Sequence, residues 1–293
     1  MINIYNVKSY DFIEDKQRII YVVRSVNYEK ELIVCSPRWF FIDNEYVKLN
    51  RQQIKMHFHS ISRLINNTDI VLEFNKVKKH ISRESQIAPK GFVNINITPM
   101  LELLQKFNNT EVFLYGSHLL GLAKKESDLD LIIKSSEHPS KIFKALLTLN
   151  GVEPISSDKI KLRSKTYSVN ETGINRNILN WLFTNSTYYI TKYGFEVGLF
   201  FCNDSDSMIN IEFPQSKTKG YQVIGRIDCD ECYYMPRFIV VRSNKQLSRI
   251  YSTNWSLFGI SKWPGIVKFN NLVKINNDTF WFDSSIGTLQ LLF

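Results

Sequence analysis

Two short apolar segments joined by a polar spacer constrain the fold of this chain more than any other part of its sequence. The first covers residues 112–115 and ends in Gly116 and Ser117, and the second carries Asp128 and Asp130 between apolar residues. Apolar segments bounded by polar turns predict two neighbouring strands. Because alternate side chains of a strand point the same way, both carboxylates are expected on one face, opposite a buried apolar face.

The polar residues of these two strands suit a metal ion and a phosphate. Two carboxylates on a rigid strand can bind hard divalent cations, whereas a purely structural strand would leave them repelling each other. Gly116 and Ser117 offer backbone N–H groups and a hydroxyl at the start of a helix, which suits a phosphate. We interpret His118 as a neighbour of this turn rather than as a catalytic base.

The Gly-Ser turn, the spacer and the Asp-x-Asp strand resemble the catalytic core of the DNA polymerase beta-like nucleotidyltransferase superfamily. The resemblance covers residues 111–134. It implies Mg2+-dependent transfer of a nucleoside monophosphate from an NTP, with ATP as one candidate, to a hydroxyl acceptor. It also implies two Mg2+ ions, or Mn2+, held by Asp128 and Asp130, and a triphosphate held by Gly116 and Ser117.

The superfamily pattern further implies a third metal-binding carboxylate on a later strand, which would also be catalytic. Glu196 is the first candidate, because it lies near the start of an apolar strand expected at 195–201 that otherwise lacks polar residues. Glu212 is the second candidate. The alternative for Glu196 is an ordinary glutamate at the solvent-exposed end of a strand.

Several basic residues are candidates for contact with the phosphates. Lys124, Lys125 and Ser127 lie in the spacer beside the implied triphosphate, and we expect them to contribute to nucleotide binding. Three further cations alternate on a segment interpreted as a strand with a cationic face, namely Lys161, Arg163 and Lys165. Surface charge without a ligand is the alternative for each of them.

A set of short segments spread over much of the chain resembles the archaeal-type predicted nucleotidyltransferases of unassigned substrate. These segments are residues 20–25, 36–39, 87–90, 195–200, 225–228 and 236–240. The closest family resemblance is therefore expected within that group.

The composition excludes some classes of protein. With 293 residues and 44% apolar residues, the chain can bury a core in one to three domains. It has no long apolar run and no secretory signal pattern at its start. Its four cysteines suit a reducing compartment, so we expect a cytoplasmic protein without a membrane partner. Cys229 and Cys232 are interpreted as strand-end thiols. The net charge of +9 suits an NTP and RNA or DNA, or simply a solvated basic surface.

The order of the segments predicts an α+β protein in three parts. Residues 1–50 would form a small N-terminal β unit built on a hairpin, residues 51–203 the polymerase beta-like core of mixed sheet with preceding helices, and residues 204–293 a β-rich domain. Strands expected in the last part would form a small barrel or sandwich. They cover residues 209–213, 221–228, 238–242, 256–260, 272–275, 279–282 and 289–293.

Three interpretations of the function remain open from the sequence. The first is an active nucleotidyltransferase whose acceptor is an RNA end, a protein side chain or a small molecule. The second is a catalytically inactive domain that binds RNA or DNA through the β-rich ends and the basic surface. The third is a component of a toxin–antitoxin or defence pair. The position of Glu196 or Glu212 relative to Asp128 discriminates between the first two.

Overall fold

The structure is a computed structural model of the chain. It describes residues 6–48, 51–58, 69–88, 97–125, 127–170, 173–186, 189–193, 195–202, 220–228, 237–244, 246–252, 255–275, 277–282 and 287–292. These residues form two compact units, the first running to Ser85 and the second beginning at Gln86. Within these ranges, no helix combines the length and the apolar character needed to cross a membrane.

The first unit is an antiparallel sheet with one short helix. Its elements are β1 (Phe12–Asp15), β2 (Ile19–Asn27), β3 (Leu32–Ile42), β4 (Glu45–Lys48), α1 (Arg51–Phe58), β5 (Ile70–Glu73), a 3-10 turn (Phe74–Lys76) and β6 (Val77–Ile81). The sheet order is β4-β3-β2-β1-β6, and β5 pairs with β3. Ile54 and Phe58 of α1 join the buried apolar residues of the strands in one core.

The hairpin predicted at the start of the chain is present, because β2 and β3 pair antiparallel with Ile19 opposite Phe40. Helices were expected before the core sheet, from residue 51 onward, but this stretch also contains the strands β5 and β6, which pair with β3 and β1. These strands depend on partners that lie far away in the sequence, so their local periodicity did not reveal them. The division of the whole chain into three parts stays a prediction.

The second unit contains the sheet that carries the Asp-x-Asp residues. Its strands are β7 (Glu111–Tyr115), β8 (Leu129–Lys134), β9 (Val152–Pro154), β10 (Tyr189–Lys192) and β11 (Phe195–Cys202). Their order is β7-β8-β11-β10-β9. Strands β8 and β11 are parallel, and the other neighbours are antiparallel. The mixed sheet expected for the core is therefore present.

In the part of the second unit that the structure describes, five helices accompany this sheet. They are α2 (Thr98–Leu104), α3 (Gly116–Leu119), α4 (Pro139–Leu146), α5 (Ser157–Asn170) and α6 (Arg176–Thr184). The strand predicted around Arg163 is wrong, because this segment is α5. Ser156 precedes the helix, and its Oγ accepts a hydrogen bond from the backbone N–H of Lys159 at 3.4 Å, as an N-cap residue does.

The C-terminal strands close into a small barrel. They are β12 (Tyr221–Ile227), β13 (Arg237–Ser243), β14 (Gln246–Ser252), β15 (Ile266–Lys274), β16 (Thr279–Trp281) and β17 (Thr288–Leu292). The order is β12-β13-β14-β16-β15-β17, and β12 also pairs with β15, so the first five strands form a ring. Only β14 and β16 are parallel among the pairs described. This arrangement is that of the OB-fold, a five-stranded Greek-key barrel, and it is compatible with the barrel that the sequence predicted.

Two details of the C-terminal part differ from expectation. Residues 256–260 were expected as a strand but lie in a 3-10 helix, Trp255–Lys262, between β14 and β15, and β14 itself was not predicted. The expected strand at 209–213 lies outside the described residues, as do Cys229 and Cys232. The side chains of Cys35 and Cys202 are buried.

The barrel packs closely on α6 of the core. A Cβ added at Gly259 of the 3-10 helix would lie 2.1 Å from the carbonyl oxygen of Leu182 on α6. The rings of Trp181 and Trp263 meet edge to face, with their centroids 4.9 Å apart. The backbone N–H of Leu289 donates to the carbonyl oxygen of Gly173 at 2.9 Å. Backbone and aromatic contacts therefore connect the barrel to the core.

Candidate active site

The Gly-Ser turn and the Asp-x-Asp strand lie side by side in the core sheet. Tyr115, the last residue of β7, pairs with Asp130 on β8, and Gly116 begins α3 directly afterwards. Asp128 comes just before β8 and is exposed, whereas Asp130 is half-buried. The intervening Leu129 is fully buried, so the alternation predicted for this strand is present.

Gly116 is in direct contact with Asp130. Its φ is +63°, a backbone conformation that residues with a Cβ rarely adopt. A Cβ at this position would lie 2.7 Å from Oδ2 of Asp130, closer than such atoms approach in proteins. Glycine is therefore required here for two reasons, the conformation of the turn and the space that the carboxylate occupies.

A buried aromatic pair lies on the same face of the sheet as Asp130. Tyr115 pairs with Asp130 across β7 and β8, and Gly198 pairs with Asp130 across β8 and β11. Phe200 lies two residues beyond Gly198, on the same face of the sheet. The rings of Tyr115 and Phe200 meet edge to face at 5.1 Å, and both are buried. This packing fixes the strands on which the carboxylates lie.

The spacer between the two strands is closed by Ser127. Its Oγ accepts a hydrogen bond from the backbone N–H of Lys124 at 2.8 Å, and its own N–H donates to the carbonyl oxygen of Lys124 at 3.0 Å. The side chains of Lys124 and Lys125 are exposed. Ser127 thus shapes the turn that presents these two lysines, while nucleotide binding by all three residues stays a prediction.

His118 connects α3 to the start of the Asp-x-Asp strand, a role that the sequence did not reveal. Its imidazole is half-buried and forms hydrogen bonds with the backbone of Ser127 and Asp128. Burial lowers the pKa of His118, and these hydrogen bonds together with the charge of Asp128 oppose the shift without reversing it. The residue therefore holds the backbone on which Asp128 lies.

Glu196 lies on the same face as the two aspartates but is already held by cations. Since Gly198 pairs with Asp130, Glu196 two residues earlier shares that face. Its carboxylate forms ion pairs with Arg163 and, at 3.2 Å, with Nζ of Lys159. Burial raises the pKa of Glu196, and the charges and hydrogen bonds of Arg163 and Lys159 outweigh it, so that the pKa is below its ordinary value.

These ion pairs form because the segment around Arg163 is a helix rather than a strand. Residues four apart on a helix lie on one face, so Lys159 and Arg163 of α5 reach Glu196 together. Lys161 and Lys165, which the strand interpretation grouped with Arg163, are exposed elsewhere on this helix. The cationic group near the site is thus Lys159 with Arg163.

The predicted metal ligands comprise a pair of aspartates and a third carboxylate. Among the residues that it describes, no group of three or more histidine, cysteine, aspartate or glutamate side chains could hold a metal ion. Glu212 lies outside those residues. Asp128 and Asp130 remain the pair that the fold brings to the Gly-Ser turn, and the third carboxylate stays a prediction.

A comparison with known protein families matches the part of the chain that contains this site. Residues 100–181 match the family model described as the nucleotidyltransferase domain. Curated proteins and solved structures gave no match. The matched range contains Gly116, Asp128 and Asp130, whereas β11 and the barrel lie beyond it. The chain therefore carries a nucleotidyltransferase domain, which supports a nucleotidyltransferase enzyme.

Proposed function

We propose that this chain transfers a nucleoside monophosphate from an NTP to a hydroxyl acceptor, with Mg2+ as the cofactor. The observation that carries the proposal is the contact between Gly116 and Asp130. It makes a carboxylate of the Asp-x-Asp strand a neighbour of the turn whose backbone N–H groups suit a phosphate. A metal ion at the carboxylates would therefore lie beside the triphosphate of the nucleotide.

The two aspartates fit the proposed cofactor. Mg2+ is commonly held by one or two carboxylates together with waters and the phosphates of the substrate, so Asp128 and Asp130 form a sufficient protein contribution. Asp128 is exposed and Asp130 is half-buried, so both can be reached from solvent. Two Mg2+ ions, or Mn2+, would neutralise charge on the phosphates and lower the pKa of the acceptor hydroxyl.

The transfer itself requires one bond to form and one to break. The acceptor oxygen bonds to the α-phosphorus, the bond from that phosphorus to the oxygen bridging to the β-phosphate breaks, and pyrophosphate leaves with those electrons. The acceptor proton is released to solvent. In this proposal Gly116 and Ser117 hold the phosphates, Ser127 shapes the spacer, and Lys124 and Lys125 add positive charge beside the leaving group.

Glu196 is the proposed third ligand, with one condition. Because Lys159 and Arg163 hold its carboxylate, binding to a metal ion would require Glu196 to exchange at least one of these partners. The same ion pairs favour a second candidate function, a catalytically inactive domain that binds RNA or DNA. In that case Glu196 would serve only to hold α5 against β11.

The finer parts of the proposal rest on the resemblance in the sequence. They are a relationship to the archaeal-type nucleotidyltransferases, a cytoplasmic location, and an acceptor that is an RNA end, a protein side chain or a small molecule. The basic character of the chain suits a polyanionic partner.

A transfer assay with defined variants tests the proposal. The purified chain is incubated with each α-labelled NTP, Mg2+ or Mn2+, and cellular RNA or protein, and acceptor labelling and pyrophosphate release are measured. We expect labelling to disappear in Asp128→Asn/Asp130→Asn and to persist in Asp158→Asn, which changes an exposed carboxylate of α5. Equal labelling by the double variant and the wild type would exclude this site as the catalytic centre.

A further inference from the structure

The outer side of the barrel carries a cationic and aromatic surface on strands β13 and β14. We call this surface the ribbon face. It is formed by the residues of β13 and β14 that point away from the barrel interior and are not buried, namely Phe238, Val240, Arg242, Leu247 and Arg249. Their neighbours Ile239, Val241 and Ile250 point inward and are fully buried. The ribbon face is therefore distinct from the core of the barrel.

Arginines are concentrated on this face and extend onto β12. Arg226 of β12 pairs directly with Arg242 of β13, and both are exposed. Like charges directly opposite each other on a sheet destabilise it, so this arrangement favours an anion beside the two arginines, and the carboxylate of Asp228 supplies one at Arg242. Arg249 on β14 is exposed as well. Three cations thus cross three neighbouring strands.

Aromatic and apolar groups lie among these cations. The guanidinium of Arg249 lies 4.9 Å from the ring centroid of the half-buried Phe238, which packs in turn on the buried ring of Tyr251 at 5.5 Å. Leu247 and Ile224 are large apolar residues that remain 44% and 39% exposed. An accessible aromatic ring beside cations can stack on a base of a single-stranded nucleic acid while the cations neutralise its phosphates, and Phe238 is that ring here.

We propose that the ribbon face binds single-stranded nucleic acid. The side chains supply charge complementarity and a stacking platform, and the second and third strands of an OB-fold barrel are the surface that such barrels use for oligonucleotides. In this barrel those strands are β13 and β14. The inference does not depend on catalysis at Asp128 and Asp130.

Acidic residues at the edge of the ribbon face modulate its charge. Asp228 follows β12 and forms an exposed ion pair with Arg242, and Asp278 is exposed between β15 and β16. Exposed ion pairs contribute little to stability, so a phosphate can replace the carboxylate of Asp228 at Arg242. Asp228→Asn should therefore tighten binding, an effect opposite to that of removing an arginine.

Fluorescence anisotropy with labelled oligonucleotides tests the proposal. The full chain is titrated with a single-stranded RNA and a single-stranded DNA of about 12 nucleotides, within the footprint of one OB-fold, and with the matching duplex. We expect either single strand, or both, to bind more tightly than the duplex, and the tighter of the two identifies the sugar preferred. No binding of either single strand at low salt, or equal binding of the duplex, would overturn the proposal.

Two variants locate the binding surface. Arg226→Ala/Arg242→Ala should weaken binding and reduce the slope of log K against log salt by about 1.4, the loss of two phosphate contacts on a single strand. Phe238→Leu keeps an apolar residue but removes the stacking ring, and should cost about five- to hundredfold in affinity.

Matched controls separate this inference from the proposed transfer reaction. Lys76→Ala/Lys106→Ala removes two exposed cations outside the barrel and should leave the affinity and the salt slope unchanged. Asp128→Asn/Asp130→Asn should bind the single strand as the wild type does while losing transfer. If the arginine variant and the lysine control bound equally well, with thermal melting confirming that both are folded, the ribbon face would not be the binding surface.

Discussion

Gly116, the residue that follows β7, lies so close to Asp130 of β8 that a Cβ on the glycine would be 2.7 Å from Oδ2 of the aspartate. The implied phosphate site and the implied metal site therefore share a boundary, and a change at one residue must displace the other.

Gly116→Ala should impair nucleotide binding beyond its effect on stability. A Cβ in the left-handed conformation costs about 1–2 kcal/mol, and at this position it also pushes Asp130 away. Gly121→Ala is the matched control, because Gly121 has φ +69° and no atom within 4 Å of an added Cβ. Both variants should lose unfolding free energy in denaturant titrations, Gly116→Ala by the larger amount because of the clash with Asp130, but only Gly116→Ala should lose NTP affinity in calorimetry. Equal NTP affinity in the two variants would contradict this interpretation of the contact.

Asp128→Asn/Asp130→Asn should abolish the stabilisation that Mg2+ or Mn2+ with NTP gives the folded chain. A ligand that binds only the folded state raises the melting temperature by mass action, and these carboxylates are the proposed ligands. Differential scanning fluorimetry with and without metal and NTP measures the shift, with Asp158→Asn as the control. An unchanged shift of the melting temperature in the double variant would show that the metal binds elsewhere.

Glu196→Gln tests the third ligand. If Glu196 binds the catalytic ion, the variant should bind NTP but lose about a thousandfold in transfer rate, which corresponds to about 4 kcal/mol of transition-state stabilisation. Glu153→Gln on β9 alters an exposed carboxylate of the same sheet and should keep full activity. Full activity in Glu196→Gln combined with loss in Glu212→Gln would assign the role to Glu212.

The ion pairs of Glu196 also predict a pH dependence of stability. Because Arg163 and Lys159 hold its folded pKa below the ordinary value of 4.5, the folded state binds this proton less readily than the unfolded state. The resulting stabilisation is fully present above about pH 4.5 and is lost as the pH falls through the lower, folded pKa. Wild type should therefore lose more unfolding free energy than Glu196→Gln when denaturant titrations are repeated at decreasing pH below 4.5. Parallel pH profiles for the two proteins would show that these ion pairs do not stabilise the fold.

His118→Ala should weaken binding of metal with NTP without touching either ligand. The imidazole holds the backbone at Ser127 and Asp128, so its removal frees the strand end on which Asp128 lies. Calorimetric titration with Mg2+ and NTP measures the loss, and His57→Ala, an exposed histidine of the first unit, is the control. If His118→Ala bound Mg2+ and NTP with wild-type affinity, this histidine would contribute only to local packing.

Short-range patterns in the sequence were sufficient to predict the local backbone around the candidate site. The turn at Gly116 and the alternation around Asp128 and Asp130 depend on a few neighbouring residues, and these features are present. The contact between Gly116 and Asp130 joins two strands through their register, and no pattern within either segment encodes it.

Elements that depend on distant partners were predicted less well. The cations of α5 alternate as on a strand, although Ser156 supplies a helix cap and Lys159 with Arg163 form the i,i+4 pair that meets Glu196. The 3-10 helix at Trp255–Lys262 is apolar enough to resemble a buried strand. Closure of the barrel relies on the pairing of β12 with β15, which only the assembled chain reveals.

The close approach of Gly259 to Leu182 limits how this architecture can be recombined in evolution. Any side chain at position 259 would collide with the carbonyl oxygen of α6 and force the barrel away from the core. The barrel therefore cannot be exchanged freely for another domain during evolution. A replacement domain must also have a glycine where it contacts α6, or the surface of α6 must change at the same time.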